Sequence, residues 1–129
     1  MDYLNRLLQT HPNAHSINLS SRYFPMPHRK LRDLTPLIPS LQKFPNLSEL
    51  NLSNNYLDTL PSELATLTSI KYLNLMGNPL RDFEALIKVL ETLTNLQELE
   101  ISIAETKHAA MIITDLPELK ILNRQGSLW

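Results

Sequence analysis

Cysteine is absent from all 129 residues, so neither a disulfide framework nor thiolate ligation of zinc is available. The expectation is a reducing, intracellular setting, cytoplasm or nucleus. Glycine is almost as scarce. With only Gly77 and Gly126 in the chain, neither a phosphate-cradling P-loop nor a GxGxxG dinucleotide turn can be written. No apolar run approaches the roughly 20 residues that span a bilayer. The opening Met1-Asp2-Tyr3-Leu4-Asn5-Arg6 also lacks the basic start and apolar stretch of a signal peptide, so no membrane association is expected. An excess of charge of one sign is missing too: 12 basic residues face 13 acidic ones, for a formal charge of −1. No global field draws the molecule to nucleic acid or lipid.

Catalytic constellations are equally thin. The four histidines, His11, His15, His28 and His108, are scattered, and no HExxH motif is present to converge two imidazoles on a metal. No nucleophile-elbow motif supports an acyl-transfer triad. The expectation is a non-enzymatic chain that needs no cofactor and no metal.

What the sequence does contain is a repeat. Leu47-x-x-Leu50-x-Leu52-x-x-Asn55-x-Leu57 aligns with Ile70-x-x-Leu73-x-Leu75-x-x-Asn78-x-Leu80 at a spacing of 23 residues. Weaker copies follow at Leu96-x-x-Leu99-x-Ile101 and Leu119-x-x-Leu122, and a degenerate one precedes them at Ala14-x-x-Ile17-x-Leu19. That first copy begins 33 residues before Leu47, which implies an insertion. Alternation along each copy puts Leu50 and Leu52 inward and Glu49, Asn51 and Ser53 outward, the pattern of a short strand with one buried face. Five such strands are expected.

Both orthodox copies resemble the leucine-rich-repeat signature LxxLxLxxNxL. The resemblance implies an α/β fold: a right-handed solenoid with a parallel concave sheet of about five short strands, and helices or irregular coils on the convex side. Asn55 and Asn78 are then structural, their buried side chains satisfying backbone groups that the turn leaves unpaired. Arg22 and Ala104 occupy the equivalent place in the flanking copies, so this ladder is expected to have two rungs. Met111-Ile112, followed by Leu116-Pro117-Glu118-Leu119-Lys120-Ile121-Leu122-Asn123, resembles the C-terminal cap of intracellular members of that class.

The expected organisation is one domain over residues 1–129. Residues 1–13 form a capping helix and 14–46 a degenerate first repeat with an inserted loop; 47–69, 70–95 and 96–118 are repeats, and 119–129 the C-terminal cap. In the first repeat Thr35 is the candidate N-cap of a convex turn begun by Pro36. Phe83, Leu86, Ile87, Leu90 and Leu93 predict a convex helix with Asp82 and Glu84 at its positive end.

Two surfaces are candidates for recognition. Outward strand positions form columns: Ser16, Glu49, Tyr72, Glu98 and Ile121 in one, and Asn18, Asn51, Asn74, Glu100 and Asn123 in the next, followed by Ser20, Ser53, Met76 and Ser102. The expected contact set is Glu49, Asn51, Tyr72, Asn74, Met76, Glu98 and Glu100 on an open, solvated face, with Tyr72 and Met76 as anchors among polar neighbours. The second surface is the insertion, where Arg22, Tyr23, His28, Arg29, Lys30 and Arg32 interleave basic and aromatic side chains. Residues 1–46 carry six basic and two acidic side chains, and the remainder six basic and eleven acidic, so the two ends of the molecule differ in sign.

The favoured function is a monomeric adaptor or scaffold that binds a protein partner on the concave face. An RNA-associated role for the basic loop, and service as the N-terminal interaction domain of a longer protein, remain as alternatives.

Overall fold

The computed structural model describes residues 2–21 and 30–124. Five parallel strands form a single sheet in chain order: β1 (Ser16–Asn18), β2 (Glu49–Asn51), β3 (Tyr72–Asn74), β4 (Glu98–Glu100) and β5 (Ile121–Leu122). Consecutive parallel neighbours require every connection to cross over one side of the sheet. This is what makes a solenoid of repeats.

The register follows the repeat. Ser16, Glu49, Tyr72, Glu98 and Ile121 lie side by side, as do Ile17, Leu50, Leu73, Leu99 and Leu122. Ile17, Leu50, Leu73 and Leu99 are buried, and so are Leu19, Leu52, Leu75 and Ile101 in the next inward column. Burying each such side chain stabilises the fold by about 1.5–3 kcal/mol before conformational entropy is charged against it. The strands are only two or three residues long because each coil needs just one sheet residue pointing inward before it turns.

The convex side differs from coil to coil. Helix α1 (Asp2–Thr10) lays Leu4, with Tyr3, Leu7 and Leu8, against the open end of the core. In the first repeat a 3-10 turn (Thr35–Leu37) runs into α2 (Ile38–Leu41). Thr35 is not its cap, contrary to the sequence expectation. The Thr35 amide instead donates to Asp33 Oδ1 at 2.9 Å, so the charged side chain two residues earlier closes the turn. The 23-residue second coil has room only for a 3-10 turn at Ser62–Thr66. The third coil, three residues longer, holds α3 (Phe83–Glu91), which buries Leu86, Ile87 and Leu90 and is capped by Asp82 through Ala85 N at 3.3 Å. Helix α4 (Thr106–Asp115) follows β4 and buries Ala109 and Ile112. Between α3 and α4, Phe83 and His108 stack with ring centroids 4.1 Å apart.

Adjacent coils pack tightly at Asn54 and Gly77, which stand 23 residues apart and both adopt left-handed backbone, φ 57° and 72°. A Cβ at Gly77 would lie 2.5 Å from Asn54 Oδ1. Glycine is required there by both conformation and space.

Candidate functional site

Asparagine organises the concave edge in two layers. In the buried layer, Asn55 Nδ2 donates to the carbonyls of Leu19, Leu52 and Ser53, while its Oδ1 accepts from Leu31 N at 2.9 Å. Asn78 repeats this one coil on, donating to Leu52 and Leu75 O and accepting from Leu57 N. A third bracket was not expected. Asn123 had been placed outward in the concave column, but it is buried: a left-handed φ of 53° swings its side chain under β4, where Oδ1 accepts from Ile101 N at 2.8 Å and Nδ2 donates to Ile101 O at 3.0 Å. It serves the carbonyl that an asparagine at position 104 would have reached. The two-rung ladder therefore becomes three rungs among the described residues.

The outer layer is a repeated turn. Asn18, Asn51 and Asn74 each fold their Oδ1 back onto the backbone amide two residues on, at Ser20, Ser53 and Met76, with distances of 2.9, 2.9 and 3.0 Å. This self-bonding explains why the residue recurs, since it closes each strand exit locally. Asn51 and Asn74 are half-buried. Asn74 Nδ2 donates to the Tyr72 hydroxyl at 3.2 Å.

Tyr72 is half-buried in the middle of the face, in register with exposed Glu49 on one side and Glu98 on the other. Its phenol is pushed above the ordinary tyrosine range, first by burial and then by the carboxylates of Glu100, Glu98 and Glu49. Met76 is half-buried beyond it, with Sδ 3.6 Å from the Ser102 hydroxyl. Ser102 also accepts from Gly77 N at 3.1 Å.

The carboxylate pair departs from expectation. Glu98 and Glu100 are not on an open, solvated face: their exposures are 9% and 7%. The reason is Arg124, which follows β5 and lies across them. Its Nε donates to Glu98 Oε2 at 2.9 Å and its Nη2 to Oε1 at 2.5 Å, and its backbone amide donates to both Glu100 oxygens at 3.0 and 3.1 Å. The guanidinium holds the Glu98 carboxyl below the usual glutamate range. Burial beside that neighbour pushes Glu100 up. Sequence reasoning missed Arg124, although its position two residues beyond the last strand, with acids in both adjacent columns, was a readable signal.

The second candidate surface is only partly described. Arg22, Tyr23, His28 and Arg29 lie outside the described residues. Lys30 and Arg32 are exposed and gather around Tyr56, with the Lys30 ammonium 4.7 Å and the Arg32 guanidinium 4.9 Å from the ring centroid. Tyr56, 46% exposed, is the aromatic that sequence reading overlooked. Beside it Arg81 pairs with Asp58 at 3.1 Å. Among the described residues no group of three or more His, Asp or Glu side chains converges in a way that would hold a metal ion, and no helix is long and apolar enough to cross a membrane.

Comparison with known proteins agrees with the architecture. Residues 45–88 match a family model described as leucine-rich repeats in two copies. Among solved structures, a leucine-rich-repeat protein of Leptospira interrogans is similar at 30% identity and a TM-score of 0.63. The match covers 88% of this chain and 26% of that one, so the chain spans about a quarter of its structural relative. No curated protein matches the chain.

Proposed function

We propose that this chain, a leucine-rich-repeat protein, is a non-catalytic recognition module that binds a protein partner on its concave sheet. Leucine-rich repeats as a class mediate protein–protein contact. The observation that carries the reading for this chain is Tyr72: a half-buried aromatic in register between Glu49 and Glu98, on a strand paired on both sides. An aromatic anchor inside a polar frame is the usual composition of a binding hot spot. The surrounding carboxylates of Glu49, Glu98 and Glu100 favour a basic partner surface, and Met76 supplies an adaptable apolar contact. Asn51 and Asn74 build the platform more than they read the partner, because their acceptor oxygens are already engaged. Such a module works equally as the interaction domain of a longer protein.

The test is crosslinking mass spectrometry on the tagged chain in cell extract, comparing wild type with a Tyr72→Ala, Glu49→Lys double variant. Loss of the crosslinks that map to β2–β4 is expected. The same partners crosslinked at the same residues in both would overturn the reading.

A second reading, RNA contact, is favoured by one feature, the pair of cations around exposed Tyr56. Single-stranded RNA bound through Lys30 and Arg32 loses affinity steeply as salt rises, because phosphate contacts release counterions. No binding of a single-stranded RNA oligonucleotide at low salt, or a flat salt response, removes it.

A further inference from the structure

The acidic end of the concave sheet already holds a cation. With Arg124 laid over it, the Glu98 side chain is 12% exposed, whereas the Arg124 side chain itself is 63% exposed. Two parallel N–H donors meet the two oxygens of one carboxylate, the fork geometry that a guanidinium provides and an ammonium does not. The two Glu98 oxygens are therefore placed to receive a forked cation. The guanidinium itself stands mostly in solvent, and ion pairs made by an exposed side chain contribute little net stability. One guanidinium can thus replace another at small cost. Tyr72 stands in register with Glu98 on the adjacent strand, close enough for its hydroxyl to act electrostatically on Arg124.

We propose that Glu98, flanked by Glu100 and Tyr72, is a guanidinium-binding site on the concave face, filled in cis by Arg124, and that an arginine side chain of the protein partner displaces it on binding. The place of the partner rests on the concave-face reading above; the chemistry of the site does not. Arg124 is then a tethered competitor. A tethered group acts at a high effective concentration and weakens the apparent affinity of any free ligand for the same site.

The experiment uses the full chain and a capped tri-arginine peptide, with capped tri-lysine as control, followed through the backbone amide resonances of Tyr72, Glu98 and Glu100. Arg124→Ala is expected to bind tri-arginine at least about threefold more tightly than wild type, since the tethered competitor is gone. Glu98→Gln is expected to bind about tenfold more weakly, having lost the charge-assisted fork. Tri-lysine should bind every form more weakly than tri-arginine. Should Arg124→Ala unfold, Arg124→Lys keeps a cation without the fork and should still bind tri-arginine more tightly than wild type. Equal affinity of the wild type and the folded Arg124 variant, or a Glu98→Gln variant that binds as well as wild type, would overturn the proposal and leave Arg124 as a structural staple. The peptide assay needs no partner. Its failure leaves the crosslinking result untouched, and absent crosslinks with a positive peptide result would remove only the concave-face reading.

Discussion

The middle and the far end of the concave sheet treat one register position in opposite ways. In β1, β2 and β3 the last strand residue is asparagine, short enough to fold its oxygen onto the amide two residues ahead. In β4 the same column holds Glu100. One methylene longer, its carboxylate does not close that local turn and reaches outward to the amide of Arg124, 24 residues on. Strand exits in the middle are therefore self-contained, and the exit of β4 depends on chain that comes later. The buried layer shows the same contrast. Asn55 and Asn78 are supplied at the repeat's own spacing, whereas Ile101 is served by Asn123 from beyond the last strand. A repeat that loses its consensus residues stays closed only if another segment takes over their hydrogen bonds.

The sharpest way to break this contrast is at its strongest point. Asn55→Ala takes this partner from the carbonyls of Leu19 and Ser53 and the amide of Leu31, while Leu52 O keeps Asn78, and is expected to cost about 3 kcal/mol in urea unfolding, since each unsatisfied buried group carries a penalty of that order. A loss below about 1 kcal/mol would show that water replaces the side chain. Asn123→Ala removes one donor and one acceptor bond at the far end and should cost about 2 kcal/mol by the same measurement, a smaller loss because fewer groups are orphaned. Asn74→Ala opens only a half-buried turn and should cost about 1 kcal/mol. An effect at Asn74 as large as that at Asn55 would erase the distinction between the two layers.

Acid titration separates the carboxylates at the far end. Glu98 has its folded pKa depressed by the Arg124 guanidinium, so its stabilisation is present above the ordinary glutamate range and is lost as pH falls through the depressed value. Glu100 has the opposite sign: burial raises its pKa, so it penalises the fold near neutrality and that penalty lifts as pH falls through the raised value. Glu98→Gln should therefore flatten the acid limb of a stability-against-pH curve, and Glu100→Gln should steepen it. The same change in both would mean that the pair is not divided in this way. Smallest of all, Arg81→Ala should change thermal stability by less than about 0.5 kcal/mol, because its ion pair with Asp58 lies in solvent.

Most of the frame was legible because leucine periodicity and strand pleat carry the same information. Once Leu50 and Leu52 align with Leu73 and Leu75, the parallel register and the inward columns follow, whereas Ser20 and Ser53, expected outward, are buried. Helix α3 was legible from Asp82 and the apolar stripe after it. The candidate face was less so. Asn51 and Asn74 read as exposed polar residues, because a hydrogen bond to a residue's own turn leaves no pattern in hydropathy. Glu98 and Glu100 read as solvated, because their cover comes from Arg124, beyond the last leucine of the pattern. Asn123 was assigned to the wrong layer since its role depends on one left-handed backbone angle. Tyr56 was passed over because the cations around it come from the preceding coil, and proximity between coils is not a property of either segment alone.

The asparagine brackets all reach backwards: Asn55 to Leu19, Asn78 to Leu52, Asn123 to Ile101, in each case into the coil before their own. The interchangeable unit of this molecule is accordingly not the 23-residue motif as it is usually drawn. A segment duplicated or deleted in register with the leucines would keep its hydrophobic column intact and still leave one coil without its clasp, unless the cut fell after the asparagine. Growth or shortening of such a chain is constrained by the clasp, and its workable splice points lie in the convex stretch that follows each one.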